Sequence, residues 1–222
     1  MTSRFQAVWF DLDGTLLDSA GDLIPAVNQT LIDFGHAPYP EDVLRGMVNF
    51  GSRTMVARGA GLTFDDPQFA VLMARFAEHY LGALHVHSRW YPGVEALLAR
   101  LEADNIPWGV VTNKYERFTR PLAKSLGIDT RAAAIVGGDT VARNKPHPDS
   151  ILHGTQLAGH DPSRCLFVGD NSTDILAGRA AGMKTVACAY GYTPTGENAA
   201  DWGADYVVDS VDALHAIIWE QA

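Results

Sequence analysis

Three observations predict an α/β protein whose parallel sheet core carries an inserted block of helices. The apolar run Val8-Trp9-Phe10 stops abruptly at Asp11 and Asp13, as a strand buried on both faces does when it reaches the edge of its sheet. From Tyr91-Pro92-Gly93 onward, apolar runs and helical spacings alternate, the pattern of successive βαβ units. Between the two lies a stretch of helical spacing with no convincing strand, which reads as a separate module spanning residues 19–89, set into a core of residues 1–18 and 90–222.

Taken in order, the first strand delivers Asp11 and Asp13 to a turn at Gly14 and Thr15. Leu23, Val27, Leu31 and Phe34 then repeat at helical spacing, with Asp18 or Ser19 as the cap and an end near Gly35. Further helices are expected over 40–49, 52–60 and 66–82, separated by Gly- and Pro-containing breaks. The alternating half begins with a helix over 94–103 and a strand Trp108-Gly109-Val110-Val111 that ends at Thr112, Asn113 and Lys114. A helix to about residue 126, a short strand over 133–136, a polar loop carrying Lys145 and a helix over 149–157 follow. Leu166-Phe167-Val168-Gly169 then runs into Asp170 and Asp174. The chain finishes with a helix to 181, strands over 184–189 and 206–208, and a helix over 210–219. The segment Trp202-Gly203-Ala204-Asp205 sets the approach to the last strand.

Three strands thus end in Asp11/Asp13, Thr112/Asn113 and Asp170/Asp174. In a parallel sheet such ends open on one edge, where ligands bind. Each residue has a plain alternative: Thr112, Asn113 and Asp170 as helix caps, Lys145 as a loop lysine. Together they have a chemical use. Closely spaced carboxylates repel unless a cation or a shared proton relieves them, which suits a hard divalent ion such as Mg2+. Hydroxyl, amide and ammonium groups supply donors for an oxyanion.

Asp11-x-Asp13-Gly14-Thr15, a strand ending in Thr112, the later Lys145 and Gly169-Asp170-x-x-x-Asp174 resemble, in order and spacing, the four motifs of the haloacid dehalogenase superfamily. The resemblance implies a Rossmann-like parallel sheet core with an inserted helical cap domain, and an Mg2+-dependent phosphatase working through an aspartyl-phosphate. It implies Asp11 as nucleophile and metal ligand, Asp13 as general acid/base and backbone metal ligand, Thr112, Asn113 and Lys145 for phosphate, and Asp170 for metal. Asp174 is either a further ligand or a support for one. The helical insertion is similar to that of the phosphoglycolate phosphatase-like branch, so phosphoglycolate is the default substrate. Residues 108–114, the Arg53 and His87-Ser88 neighbourhoods and Tyr190-Gly191-Tyr192 also resemble phosphatases of N-acetylmuramic acid 6-phosphate. A hexose phosphomutase and a noncatalytic phosphate binder are the alternatives from other classes.

A net charge of -9 over 222 residues, with no basic stripe, argues against nucleic acid and anionic membranes as partners. Cys165 and Cys188 sit in apolar runs as reduced core residues, and no signal peptide or spanning segment is visible, so the expected location is cytoplasmic. His79, His85 and His87 lack the spacing of a transition-metal site. Arg53, at the start of a helix in the inserted block, either takes a substrate carboxylate or phosphate through its guanidinium or serves as a surface residue. The core motifs bind what every candidate substrate shares, so selectivity is assigned to the inserted block.

Overall fold

The structure is a computed structural model that describes residues 4–219. Strand β1 (Ala7–Phe10) is buried along its whole length, and a short β2 (Leu17–Asp18) follows the acidic turn. Helices α1 (Ala20–Asp33), α2 (Glu41–Arg45), α3 (Gly51–Ala60) and α4 (Pro67–Gly82) come next, then the short strand β3 (Arg89–Trp90). The remainder is α5 (Val94–Ala103), β4 (Trp108–Val111), α6 (Glu116–Ser125), β5 (Ile135–Val136), α7 (Asp149–Leu157), β6 (Cys165–Gly169), α8 (Ser172–Ala180), β7 (Lys184–Cys188), β8 (Tyr206–Val208) and α9 (Val211–Trp219). The chain divides into two compact units, residues 1–18 with 90–222, and residues 19–89.

In the first unit six strands form a parallel sheet in the order β5-β4-β1-β6-β7-β8. The chain builds outward from β1 through β4 to β5, then crosses back to β6 and continues through β7 to β8. The order therefore reverses beside β1, which opens a crevice at its carboxyl end. Register fixes what lines that crevice: Phe10 is level with Val110 on one side and Val168 on the other. Val111 and Gly169 are therefore level with Asp11, and Thr112 and Asp170 stand one residue further along at the same edge. Trp9 is fully buried, and its ring occupies space that a side chain at residue 109 would need, since a Cβ on Gly109 would lie 2.2 Å from Trp9 Cζ3. Glycine in the middle of β4 is a packing requirement of its neighbour. Cys165 and Cys188 are free and buried, and burial pushes the Cys165 thiol up to about 11 and that of Cys188 higher still, which keeps both protonated and unreactive.

In the second unit α1 turns Leu23, Ile24, Val27 and Leu31 inward at three- and four-residue spacing. Ser19 takes the N-cap position without a capping hydrogen bond from its side chain. Phe34, expected on the buried face, is the C-cap and is 39% exposed. The helix stops there because Gly35 adopts φ +80°, and its N–H and that of His36 donate to Ile32 and Leu31 carbonyls, a left-handed end that glycine takes without strain. The helix expected over 40–49 is shorter: α2 ends at Gly46, and Val48–Phe50 forms a 3₁₀ turn. Asp66 caps α4 by accepting from Gln68 N, with Pro67 in the first helical position.

Candidate active site

Lys145 is the centre of the crevice. Its side chain is 1% exposed, and its Nζ lies 2.9 Å from Asp11 Oδ1 and 2.7 Å from Asp174 Oδ1 and donates to the Val111 carbonyl at 2.8 Å. The ammonium group is thus held by the residue that follows β1, by α8 and by the end of β4. Burial pulls its pKa down, but the charges of Asp11 and Asp174 outweigh burial and raise it above the ordinary lysine value, so it stays cationic. The Asn113 amide donates to the Lys145 carbonyl at 3.0 Å. That residue, expected on phosphate, ties the backbone of the lysine to the end of β4.

Asp11, Asp170 and Asp174 each offer an oxygen within 4.8 Å of the other two. Asp11 Oδ1 and Asp174 Oδ1 are both met by the Lys145 ammonium, which they share. Burial drives the Asp11 pKa up, Lys145 opposes it, Asp174 and Asp13 add to it, and the carboxyl is raised to about 6. Asp170 is held more completely, accepting from Thr15 Oγ1 at 3.1 Å and from Tyr192 N at 2.8 Å. Asp174 Oδ2 accepts from Asn171 N, closing a capping box at the start of α8, so helix formation itself places Oδ1 among the other carboxylates. Gly14, at φ +87°, passes so close to Asp170 that a Cβ there would lie 2.0 Å from its Oδ2.

Asp13 stands apart from this cluster. Both of its oxygens accept from Lys114 Nζ at 2.8 Å. Thr112 Oγ1 accepts from Lys114 N at 3.1 Å, which leaves the Thr112 hydroxyl proton available to an oxyanion. Three contributors were not read from the sequence as site residues. Lys114 had a signal, since it directly follows Thr112 and Asn113 at the strand end. Thr15 had one too, in the turn after Asp13. Tyr192 had none, because its contribution to Asp170 is a backbone N–H that any residue but proline supplies.

Arg53 lies in the second unit, on α3. Its guanidinium stacks over Phe69 at 4.8 Å and Phe64 at 5.2 Å. His79 pairs with Asp33 at 2.8 Å, and the His87 N–H donates to Asp22 at 2.7 Å. No helix among the described residues is long and apolar enough to cross a membrane.

Residues 8–188 match the family described as haloacid dehalogenase-like hydrolase. An N-acetylmuramic acid 6-phosphate phosphatase of Pseudomonas aeruginosa is 44% identical over 206 residues, 93% of this chain and 91% of that one. A phosphoglycolate phosphatase of Xanthomonas campestris pv. campestris is 40% identical over 217 residues, 98% and 96% of the two chains. The crystal structure of a "predicted phosphoglycolate phosphatase" from Haemophilus somnus superposes with a TM-score of 0.84 at 29% identity, covering 96% of this chain and 98% of the other. The chain belongs to the haloacid dehalogenase-like hydrolase family and is an enzyme of its phosphatase class.

Proposed function

We propose that the protein hydrolyses a small carboxylated phosphomonoester, N-acetylmuramic acid 6-phosphate ahead of phosphoglycolate, through a phosphoaspartate on Asp11. The observation that carries this reading is the grouping of Asp11, Asp170 and Asp174 around Lys145 at the carboxyl end of β1. Both substrates carry a carboxylate besides the phosphate. The motif reading put phosphoglycolate first; a relative 44% identical over nearly the whole of both chains is the reason for the present order.

Three carboxylates gathered around one lysine leave unmet negative charge. An all-oxygen donor set of that kind fits a hard divalent cation. Asp11 and Asp170 would hold it, with the Asp13 carbonyl, and Asp174 either joins them or keeps Lys145 in place. When bound, Mg2+ supplies neutralising charge that lets an anionic nucleophile approach an anionic phosphate.

The residues divide the rest of the work. Asp11 attacks phosphorus while the bond to the leaving alcohol breaks, and Asp13, in its protonated form, gives that alcohol its proton. Water then attacks phosphorus, passes a proton to the Asp13 carboxylate and frees Asp11. Lys145 and the Thr112 hydroxyl stabilise the phosphoryl oxygens as negative charge spreads over them. Asn113 acts by holding Lys145. Residues 1–18 and 90–222 form the catalytic domain and residues 19–89 the cap. The inserted unit selects the substrate, with Arg53 as the group that takes the substrate carboxylate.

The test is kcat/KM against N-acetylmuramic acid 6-phosphate, phosphoglycolate and uncarboxylated sugar phosphates, with Mg2+ and with chelator. The two carboxylated esters are expected to lead, with release of inorganic phosphate that chelator abolishes. A preference for uncarboxylated hexose phosphates, or rephosphorylation of the product in place of phosphate release, would overturn the reading.

A further inference from the structure

We propose that Lys114 is a positioning residue for the reaction, aiming the Asp13 carboxyl group at the oxygen that bridges phosphorus and the leaving alcohol. The inference rests on the reading of Asp13 as the group that exchanges a proton with the alcohol. It goes beyond that reading by naming what holds Asp13 in place.

The two lysines of the crevice serve different carboxylates. Lys145 pairs with Asp11 and Asp174, whereas Lys114 Nζ meets both oxygens of Asp13 at 2.8 Å. An ion pair between flexible side chains in water contributes little, because ordering them costs what the attraction gains. This pair is not of that kind. The Lys114 side chain is 8% exposed and that of Asp13 18%. The backbone of Lys114 is anchored at both ends: its N–H donates to Thr112 Oγ1 at 3.1 Å, and its carbonyl accepts from Gly138 N at 2.8 Å and Thr119 Oγ1 at 2.9 Å. Thr119 is fully buried on α6, so the lysine starts from a fixed point. Asp13 sits on the other side, just before Gly14 at φ +87°, in a turn that does not itself set the direction of an aspartate side chain. The ammonium group does. Proton transfer to a leaving oxygen depends on that direction, and a misplacement of about 1 Å costs on the order of 10²-fold in rate.

A chain of contacts also links this aim to the phosphate site. Thr112, which offers its hydroxyl to phosphate, receives the Lys114 N–H, and Lys114 in turn holds Asp13. The turn 112–114 thereby fixes donor and proton carrier relative to each other.

The experiment compares Asp13→Asn, Lys114→Met and the double variant in the full chain with Mg2+, measuring kcat/KM over phosphomonoesters whose leaving groups run from p-nitrophenol to simple alkyl alcohols. This parameter stops at departure of the alcohol, where the proton is needed only if the alcohol is basic. Lys114→Met is expected to lose less than about threefold on p-nitrophenyl phosphate and about 10- to 100-fold on alkyl phosphates. Asp13→Asn should show the same slope more steeply, and the double variant should be no worse than Asp13→Asn. Inhibition by inorganic phosphate should stay within about twofold of the parent. Where Lys114→Met does not fold, Lys114→Gln carries the same slope with a smaller loss. Equal losses on all leaving groups with weakened phosphate inhibition would make Lys114 a phosphate ligand and overturn the proposal. Additive losses, or unchanged kinetics, would overturn it as well. A flat Asp13→Asn series would show instead that the reading of Asp13 had failed, and the role of Lys114 with it.

Discussion

Asp22 in the helical unit and Asp11 in the sheet unit are both carboxylates largely withdrawn from water, and their surroundings treat them in opposite ways. Asp22, 2% exposed, accepts from the N–H groups of Val86, His87 and Ser88 at 2.7 to 3.1 Å and from Ser88 Oγ at 2.5 Å. Burial raises its pKa, but donation from Ser88 and from the His87 and Ser88 backbone outweighs burial and holds it below the ordinary value. Asp11 has Lys145, shared with Asp174, and its carboxyl rises to about 6. A carboxylate with its donors supplied by the fold is a fastener, whereas one buried beyond what its partners compensate has capacity left for a ligand. Burial alone does not separate Asp22 from Asp11; the number of donors that meet each does.

The largest effect expected from this contrast is on turnover. Asp11→Asn should lower kcat by about 10⁴- to 10⁶-fold, since an amide does not attack phosphorus. Its thermal midpoint should hold or rise, because a like charge leaves a crowded site. A clear fall in the midpoint would place Asp11 with Asp22 as a fastener and break the contrast.

Asp22→Ala should show the reverse, a stability loss of about 2 to 4 kcal/mol from donors left unmatched. Its pH dependence sharpens the point. The folded pKa is depressed, so the contribution is complete above the unfolded value of about 3.9 and is lost as pH falls through the folded one. Urea melts of parent and variant should differ equally at pH 7 and about pH 5 and converge below about pH 4. A difference that grows toward acid would reverse the sign assigned to Asp22.

The smallest effect extends the comparison to a cation. The Arg53 guanidinium carbon lies 5.2 Å from the Phe64 ring centroid and 4.8 Å from that of Phe69, a cation–π contact that leaves a guanidinium's donors unspent. Arg53→Ala should cut kcat/KM on a carboxylated substrate by about 1.5 to 3 kcal/mol in transition-state terms, and far less on a small uncarboxylated phosphoester. Equal losses on both would make the stack a fastener like Asp22.

Much of the sheet could be read from the chain because each buried strand is a short apolar run that stops at a polar residue: β4 and β8 lie where the runs at 108–111 and 206–208 put them. α5 and α7 likewise keep the expected bounds, their spacing being regular up to flanking Gly and Pro residues. The failures lie where spacing is too short to decide. Gly46 splits a helix into one turn and a 3₁₀ step, and Phe34 falls one residue beyond the helix it was assigned to. In the site, Asp11, Asp170 and Lys145 announced themselves by residue type at strand ends and in a polar loop. The fastening of Asp22 and the help of Tyr192 to Asp170 come from backbone N–H groups brought up from 64 to 66 and 22 residues away, and no residue type advertises those. The donation from Asn113 to the Lys145 carbonyl was not announced by residue type either, since an amide donates to any carbonyl or anion placed before it.

The loop Tyr190-Gly191-Tyr192 grips the turn that follows β1. Tyr190 Oη donates to the Thr15 carbonyl at 3.0 Å, Tyr192 Oη donates to Asp18 at 2.5 Å, and a Cβ on Gly191 would lie 2.3 Å from the Gly14 carbonyl oxygen. The returning chain joins the same place, where Tyr91 N donates to the Leu16 carbonyl at 3.0 Å and its ring lies 5.1 Å from that of Tyr190. The points at which the chain leaves the sheet unit and comes back are thus neighbours, both tied to one loop. Ends held this close let the segment between residues 19 and 89 be set into the chain with little demand on the register of β1. The loop after β7 thus works with the Tyr91–Leu16 bond to brace the two ends between which the insertion is set.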